Sequence, residues 1–428
     1  MSKSIQITDS WLRYEKENLI RPFGFKGGYI NELWQNVCSL KSSNGAQSLG
    51  LATQSVLYGD PKVFTRYGEK EANELMLKVT RRAMELITNQ TWADPIECLN
   101  TIYPQLYLDS CKITGEPDLH LNFVHNALVS VDHACWLLYA FTHNLSDFMS
   151  MIPKAYHAAL GERHEKIAIM YQVPYGMPLS EVERAVEKGY FIIKIKLGQA
   201  GSEDEMLQKD LNRISEIHQL LKEKHTQHHQ IWYTLDANGR YQHKDSIERI
   251  IKFLHQIKAH ERVLFFEEPL NENNKESVKN LDLNMAADES LHNLLSAKQR
   301  IAQGYSTFVL KSVAKTLSLT LQIARLAYDN HIKCACADLT VNPVLMSWHQ
   351  NLAARLPSFP GLEGMGLMET NGDMNYKRWS QMLSYHPCYN VSWLQHTEGL
   401  FHLTDDFYSK SGGIFFTPHH YHQLLSEV

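Results

Sequence analysis

The sequence has no long apolar run and no block of positive charge. Its longest apolar stretches, such as Cys135 to Phe141, fall far short of the roughly 18 residues that a membrane span needs. Its 42 Lys and Arg residues stand against 47 Asp and Glu, which gives a net charge of −5. A nucleic-acid-binding protein usually carries a basic stretch that follows the phosphates. We therefore expect no membrane span and no nucleic-acid partner.

Paired cysteines and a secretion signal are also missing. The seven cysteines are scattered without the spacing of a metal site, and their odd number does not suit a disulfide framework. The first residues, MSKSIQITDSW, contain no apolar signal core. Reduced thiols are typical of the cytoplasm, so we expect a cytoplasmic protein.

The length of 428 residues leaves room for a barrel of about 250 residues and a second unit. Up to about residue 65, short apolar and polar groups alternate between glycines, which predicts a small antiparallel sheet. From Glu69 to Pro153, apolar residues recur every three or four positions, as in helices. Residues 1–155 are thus predicted to form an α+β domain.

After Pro153 the pattern becomes one of short strands alternating with amphipathic helices. Such alternation requires parallel strands with helical crossovers, because a tight turn cannot join a parallel pair. Eight strand candidates favour a closed barrel over residues 156–370, although a doubly wound open sheet would show a similar alternation. The candidates are 166–174, 190–197, 230–236, 263–267, 285–288, 307–311, 332–337 and 362–368.

Charged residues stand at the C-terminal ends of five of these strands, where barrels place their chemistry. One such residue is ordinary, because charges often end a strand at the solvent. Five strand ends in the order lysine, acid, acid, acid, lysine are harder to explain by solvation. The residues are Lys194, Lys196, Asp236, Glu267, Asp288 and Lys311.

Lys194 and Lys196 are two positions apart and share one face of their strand, since strand side chains alternate. Lys194 and Lys196 without partners would repel each other, which would lower the pKa of one and leave an amine able to act as a base. The alternative is that both form salt bridges with surface acids.

Three carboxylates from neighbouring strands suit a hard divalent cation such as Mg²⁺ or Mn²⁺. With one divalent ion the three acids keep one negative charge, and flanking lysines would let a small carboxylate substrate bind. Only one side chain of Glu267 and Glu268 can face inward, and we choose Glu267; the same argument favours Asp288. Asn238 shares the face of Asp236 and is a candidate for substrate binding.

The ordered segments KIK, DAN, EEP, ADES and LK resemble the enolase superfamily, in its muconate-lactonizing-enzyme-like branch. The resemblance implies an α+β cap over a modified (β/α)₇β TIM-type barrel, with Mg²⁺ held by Asp236, Glu267 and Asp288. It also implies Lys196 and Lys311 on opposite faces of the substrate, and a proton abstracted beside a carboxylate to give an enediolate. Lys194 would hold the carboxylate and depress the pKa of its neighbour.

Other positions depart from the family or extend the site. No glycine pair follows Lys311, no histidine ends the seventh strand, and GLMETNGD replaces the Asp-x-Asp of dipeptide epimerases, so the substrate stays open. Asp338 and Glu369 either touch the substrate or are structural caps. By resemblance, residues 23–29, which include Phe23, and 51–58 are cap loops over the substrate; the alternative is a plain hairpin connection. The aromatic tail, residues 371–428, is predicted to pack on the cap or on a second copy in a homo-oligomer.

These residues lead to three hypotheses of function. A racemase or epimerase is favoured, because lysines on both faces can remove a proton and return one. The same intermediate also serves β-elimination, as in a dehydratase, a cycloisomerase or an o-succinylbenzoate synthase. A non-catalytic scaffold that binds carboxylates is the third, since fold does not imply function.

Overall fold

The computed structural model describes residues 4–25, 28–227 and 229–426. Its N-terminal part is an antiparallel sheet covered by helices, in the strand order β3-β2-β1-β4. Gly50 of β3 lies so close to helix α4 that an added Cβ would be 2.0 Å from the Ser130 carbonyl oxygen. The elements are β1 (Ile5–Phe25), β2 (Gly28–Ser42), β3 (Gln47–Gln54), α1 (Val56–Gly59), α2 (Pro61–Thr88), β4 (Thr91–Trp92), α3 (Pro95–Thr114), α4 (Leu121–His143) and α5 (Phe148–Met151).

Eight parallel strands follow and close into a barrel. Each strand pairs with the next, and the last pairs with the first, Met365 opposite Lys166. This closure confirms the barrel and excludes the open sheet. The strands are β5 (Lys166–Val173), β6 (Ile192–Lys196), β7 (Trp232–Asp236), β8 (Val263–Glu267), β9 (Met285–Ala287), β10 (Thr307–Leu310), β11 (Lys333–Cys336) and β12 (Met365–Glu369).

Amphipathic helices connect most of these strands and cover the barrel. In α8, for example, Ile247, Ile250 and Leu254 recur at helical spacing and are fully buried. The connection from β8 to β9 is fully described and contains no helix. The helices are α6 (Leu179–Glu187), α7 (Glu203–Leu221), α8 (Lys244–Gln256), α9 (Leu294–Gln303), α10 (Ser312–Lys315), α11 (Leu317–Asp329) and α12 (Pro343–Ala353).

The C-terminal segment contacts both the cap and the barrel. Leu400 of β14 pairs antiparallel with Ala168 at the start of β5, while Arg378 binds Glu17 of β1 at 2.8 Å. Trp393 is buried in the same core as the barrel helices. The elements are α13 (Gly372–Asn375), α14 (Trp379–Ser384), β13 (His396–Thr397), β14 (Leu400–His402), α15 (Asp405–Lys410) and α16 (His419–Ser426).

The cysteines and the longest helices bear on two of the expectations from composition. All seven cysteines are free thiols, as predicted. Among the described residues, no helix has both the length and the apolar character to cross a membrane.

Candidate active site

The site residues are placed by side-chain alternation along the barrel strands. On most strands an apolar side chain points into the barrel, and the residue two positions later points the same way at the mouth. Phe265 is thus followed by Glu267, and Val309 by Lys311. The same spacing relates Ile192 to Lys194, Ala286 to Asp288 and Leu367 to Glu369.

Lys194 lies at the centre of the mouth and is 1% exposed. Its Nζ is 3.0 Å from Asp236 Oδ2, 2.7 Å from Glu267 Oε2 and 2.7 Å from Glu369 Oε2. Burial lowers the pKa of Lys194, but the three carboxylates raise it well above its ordinary value. The prediction of an unpartnered lysine pair is therefore wrong, because Lys194 is held as an ammonium by internal acids.

Lys196 and Lys311 approach the mouth from opposite sides. They lie on or just after the second and sixth of eight barrel strands, so they face each other across the barrel. Lys196 Nζ contacts Asp236 Oδ2 at 2.5 Å and Asn238 Oδ1 at 3.1 Å. Lys311 Nζ contacts Asp288 Oδ2 at 2.5 Å. Burial lowers the pKa of Lys311, and the carboxylates of Asp288 and Glu289 outweigh it and raise this pKa.

The neighbours of Glu267 and Asp288 point elsewhere. Glu268 turns away at φ 36°, accepts the Asp288 amide at 2.7 Å and lies 3.9 Å from Arg300. Burial, then the Glu289 carboxylate, raises the pKa of Glu268 to about 7. Asn238 Nδ2 donates to Glu289 Oε1 at 2.9 Å. Glu267 and Asp288 are therefore the members of each pair that meet the lysines.

The three predicted ligands are close together without forming a tight oxygen cluster. Their oxygen atoms do not all lie within 4.8 Å of one another. The Lys194 ammonium lies between Asp236 and Glu267, and Lys311 lies against Asp288. Glu267 Oε1 is buried and accepts no hydrogen bond. Three buried carboxylates, with Glu267 Oε1 and Asp288 Oδ1 free of hydrogen bonds, are the donor set that Mg²⁺ prefers, provided that Lys194 moves aside.

One pocket joins these groups to the cap. All four predicted substrate-binding residues line it, and so do Lys194, Lys196, Asp236 and Lys311. Both cap segments reach it, through Phe23 of residues 23–29 and through Ser55, Leu57 and Tyr58; Lys26 and Gly27 lie outside the described residues. The four are Phe23, Asn238, Asp338 and Glu369.

Asp338 is a buried acid on the side of the pocket formed by the seventh and eighth strands. Its Oδ1 accepts the Thr340 amide at 3.1 Å. Burial, then the nearby Glu369 carboxylate, raises the pKa of Asp338 to about 7. Asp338 therefore changes charge near neutral pH.

Sequence reasoning missed several functional candidates. Gln172 ends the first strand and donates to Glu369 Oε1 at 3.1 Å. Its polar side chain after an apolar strand was the available signal. Lys315 is 2% exposed and lies 3.7 Å from Asp288 Oδ1, but its place on the short helix α10 gave no sequence signal. Asn371 also lines the pocket.

Another group, between the cap and the barrel, has the spacing of a metal site. Glu272 Oε2 is 3.2 Å from Nε2 of both His120 and His292. However, His120 Nδ1 accepts the Asn122 amide at 3.2 Å, so the ring proton lies on Nε2 and points at Glu272. A metal on Nε2 would require the opposite tautomer. The group is therefore a hydrogen-bonded contact between cap and barrel.

Comparison with known families agrees with this arrangement. Residues 179–383, which include all the strand-end lysines and acids, match the family described as Enolase C-terminal domain-like. Over these residues the barrel is similar to that family. A comparison with curated proteins found no match.

Solved structures resemble almost the whole chain at low sequence identity. A dipeptide epimerase from Enterococcus faecalis, complexed with Mg and a dipeptide, is 16% identical, with TM-score 0.64 and coverage of 93% of this chain and 97% of that one. An N-succinyl Arg/Lys racemase from Bacillus cereus is also 16% identical, with TM-score 0.64 and coverage of 94% and 93%. At these identities the likeness shows the shared fold, cap included.

Proposed function

We propose that this enzyme removes the proton beside a substrate carboxylate and returns one on the opposite face, as a racemase or epimerase. The observation that carries the proposal is the position of Lys196 and Lys311. They come from opposite strands of the closed barrel and line one pocket. A substrate carbon held between them presents one face to each amine.

We propose Asp236, Glu267 and Asp288 as the residues that hold Mg²⁺ or Mn²⁺. The charge balance of the mouth supports this proposal. Seven acidic side chains stand against five basic ones in and around the mouth, which leaves two surplus negative charges when all of them are ionised. One divalent ion would neutralise that surplus and favour the ionised carboxylates. When bound, the ion would stabilise the negative charge that develops on the substrate oxygens. The acids are Asp236, Glu267, Glu268, Asp288, Glu289, Asp338 and Glu369, and the bases are Lys194, Lys196, Arg300, Lys311 and Lys315.

The lysines supply the proton transfers. A buried lysine whose acid partners are neutralised loses the carboxylate contribution to its pKa, so it can act as a base. The lysine on the other face stays an ammonium and delivers a proton to the enediolate. Lys194 is placed to hold the substrate carboxylate by charge.

The far side of the pocket favours a substrate that offers hydrogen-bond donors. Asp338, Glu369, Gln172 and Asn371 line this side, and its two carboxylates can accept hydrogen bonds from a substrate. The basic residues among the described lining are the three lysines of the reacting end, Lys194, Lys196 and Lys311. We therefore propose a small carboxylate whose distal part carries an amine or amide, not a second acid.

We also propose that the chain divides into a cap (1–155), a barrel (156–370) and a C-terminal segment (371–428). The free thiols support a cytoplasmic location. We propose no nucleic-acid or membrane partner, because the sequence lacks a basic block and no described helix could cross a membrane. We also propose that the aromatic tail is compatible with a homo-oligomer.

The test is α-proton exchange followed by NMR in D₂O with Mg²⁺. The probe is L-Leu-L-Tyr, and the product's chirality is determined in parallel. Lys311→Ala and Lys196→Ala should each slow inversion by roughly 10²- to 10⁴-fold, because general acid–base catalysis needs a group on each face. Each variant should still exchange the α-proton of one enantiomer, the one that faces the remaining lysine.

Lys333→Ala is the matched control. It removes a barrel-strand lysine at the closed end, where Nζ donates to the Ser358 carbonyl, and it should invert normally. Inversion by Lys311→Ala at the wild-type rate would contradict the proposal. Loss of a β-substituent instead of inversion would favour β-elimination.

A further inference from the structure

The cap contributes a buried tyrosine to the pocket. Tyr58 lies on α1, directly after β3, and is 2% exposed. Its phenolic oxygen is buried and makes no hydrogen bond to any described residue. A buried hydroxyl without a partner destabilises a protein, so its retention needs a reason.

The backbone around Tyr58 is fixed against the cap helix α4. The Ser55 amide donates to Asn126 Oδ1 at 2.8 Å. The next residue, Gly59, lies so close to α4 that an added Cβ would be 3.1 Å from the Phe123 Cα. The position of the tyrosine is therefore set before any substrate binds.

The ring of Tyr58 lies close to one of the reacting lysines. The ring lies 5.0 Å from Lys311 Nζ, a distance at which a ring face attracts a cation. Burial raises the pKa of Tyr58 well above its ordinary value, and the Asp288 and Glu289 carboxylates raise it further. The phenol therefore stays protonated and can donate.

We propose that Tyr58 is a catalytic residue: its ring positions Lys311, and its hydroxyl donates a hydrogen bond to an oxygen of the bound substrate. This inference rests on the function proposed above. It explains a buried donor without a partner on a residue that lines the pocket, because the substrate would supply the acceptor. It also makes the cap part of the reacting site.

Two substitutions separate the roles of hydroxyl and ring. Tyr58→Phe should lower kcat for α-proton exchange of L-Leu-L-Tyr by roughly 10- to 100-fold, the loss of one hydrogen bond to a charged oxygen. Its thermal midpoint should not fall, since an unsatisfied hydroxyl is removed. Tyr58→Leu should lower kcat further, because Lys311 also loses the ring.

Tyr421→Phe is the control, since Tyr421 is also fully buried with an unpartnered hydroxyl but lies on α16. It should exchange protons at the wild-type rate. Wild-type exchange by Tyr58→Phe would overturn the inference.

A second measurement does not depend on turnover. In protein labelled with 3-fluorotyrosine, the Tyr58 ¹⁹F resonance, assigned with Tyr58→Phe, should shift when acetate is added with Mg²⁺, and the Tyr421 resonance should not. A shift without any proton exchange would support the hydrogen bond and overturn the proposed reaction. An unmoved Tyr58 resonance would overturn the hydrogen bond even in an active enzyme.

Discussion

The closed end and the mouth of the barrel are built from the same strands, two residues apart, yet they differ completely in chemistry. The closed end packs apolar side chains such as Met170, Phe265 and Val309 against one another. The mouth holds twelve acidic and basic side chains, almost all buried. Burial of charge is unfavourable unless each charge has a partner, whereas burial of apolar groups stabilises the fold. The closed end therefore stabilises the fold, whereas the buried charges of the mouth lower its stability and serve function.

The largest expected effect on stability comes from the closed end. Phe265→Ala removes a fully buried ring and should lower the free energy of unfolding by about 3–5 kcal/mol. Urea denaturation measures the loss. Phe416→Ala, at a side chain that is 48% exposed, should change it by less than about 0.5 kcal/mol. Equal losses in the two variants would contradict the role given to the closed end.

A smaller effect, which depends on metal, is expected at the mouth. Lys194→Met leaves three carboxylates without their shared ammonium, which should lower the free energy of unfolding by about 3 kcal/mol in EDTA. Mg²⁺ should restore part of the loss, because a divalent ion neutralises the same acids. Lys333→Met should show no such dependence on Mg²⁺. If the loss of stability were identical with and without Mg²⁺, these acids would not bind the ion.

The smallest effect concerns pH. The folded-state pKa of Asp338, about 7, lies above its ordinary value of 3.8. Asp338 therefore contributes fully to the free energy of unfolding below pH 3.8, and this contribution is lost as the pH rises through 7. Between pH 5 and 8, the free energy of unfolding of the wild type should fall by about 1–3 kcal/mol relative to Asp338→Asn. Parallel curves for the two proteins would show that Asp338 does not titrate in this range.

The strands and the strand-end charges could be predicted because they depend on local periodicity. Even β9, with three residues, falls within the predicted strand 285–288. Alternation allows only one of Glu267 and Glu268 to face inward, and the chosen Glu267 is the one that meets Lys194. Metal binding by Glu267 stays a prediction.

The partners of these charges could not be predicted, because they depend on closure of the barrel. Glu369 lies 175 residues after Lys194 in the sequence. The two side chains meet only when the eighth strand pairs with the first. The pKa prediction for the lysine pair failed for this reason. Tyr58 meets Lys311 only when the cap docks on the barrel, which no local pattern reveals.

The most direct test of the central claim is a Mn²⁺ titration followed by electron paramagnetic resonance. The charge surplus of the mouth predicts one tightly bound ion per chain in the wild type. Asp236→Asn and Glu267→Gln should each weaken its binding severely, whereas Asp282→Asn, at an exposed acid beside His255 and His260, should leave it unchanged. Undiminished binding in Asp236→Asn, or no binding by the wild type, would contradict the account.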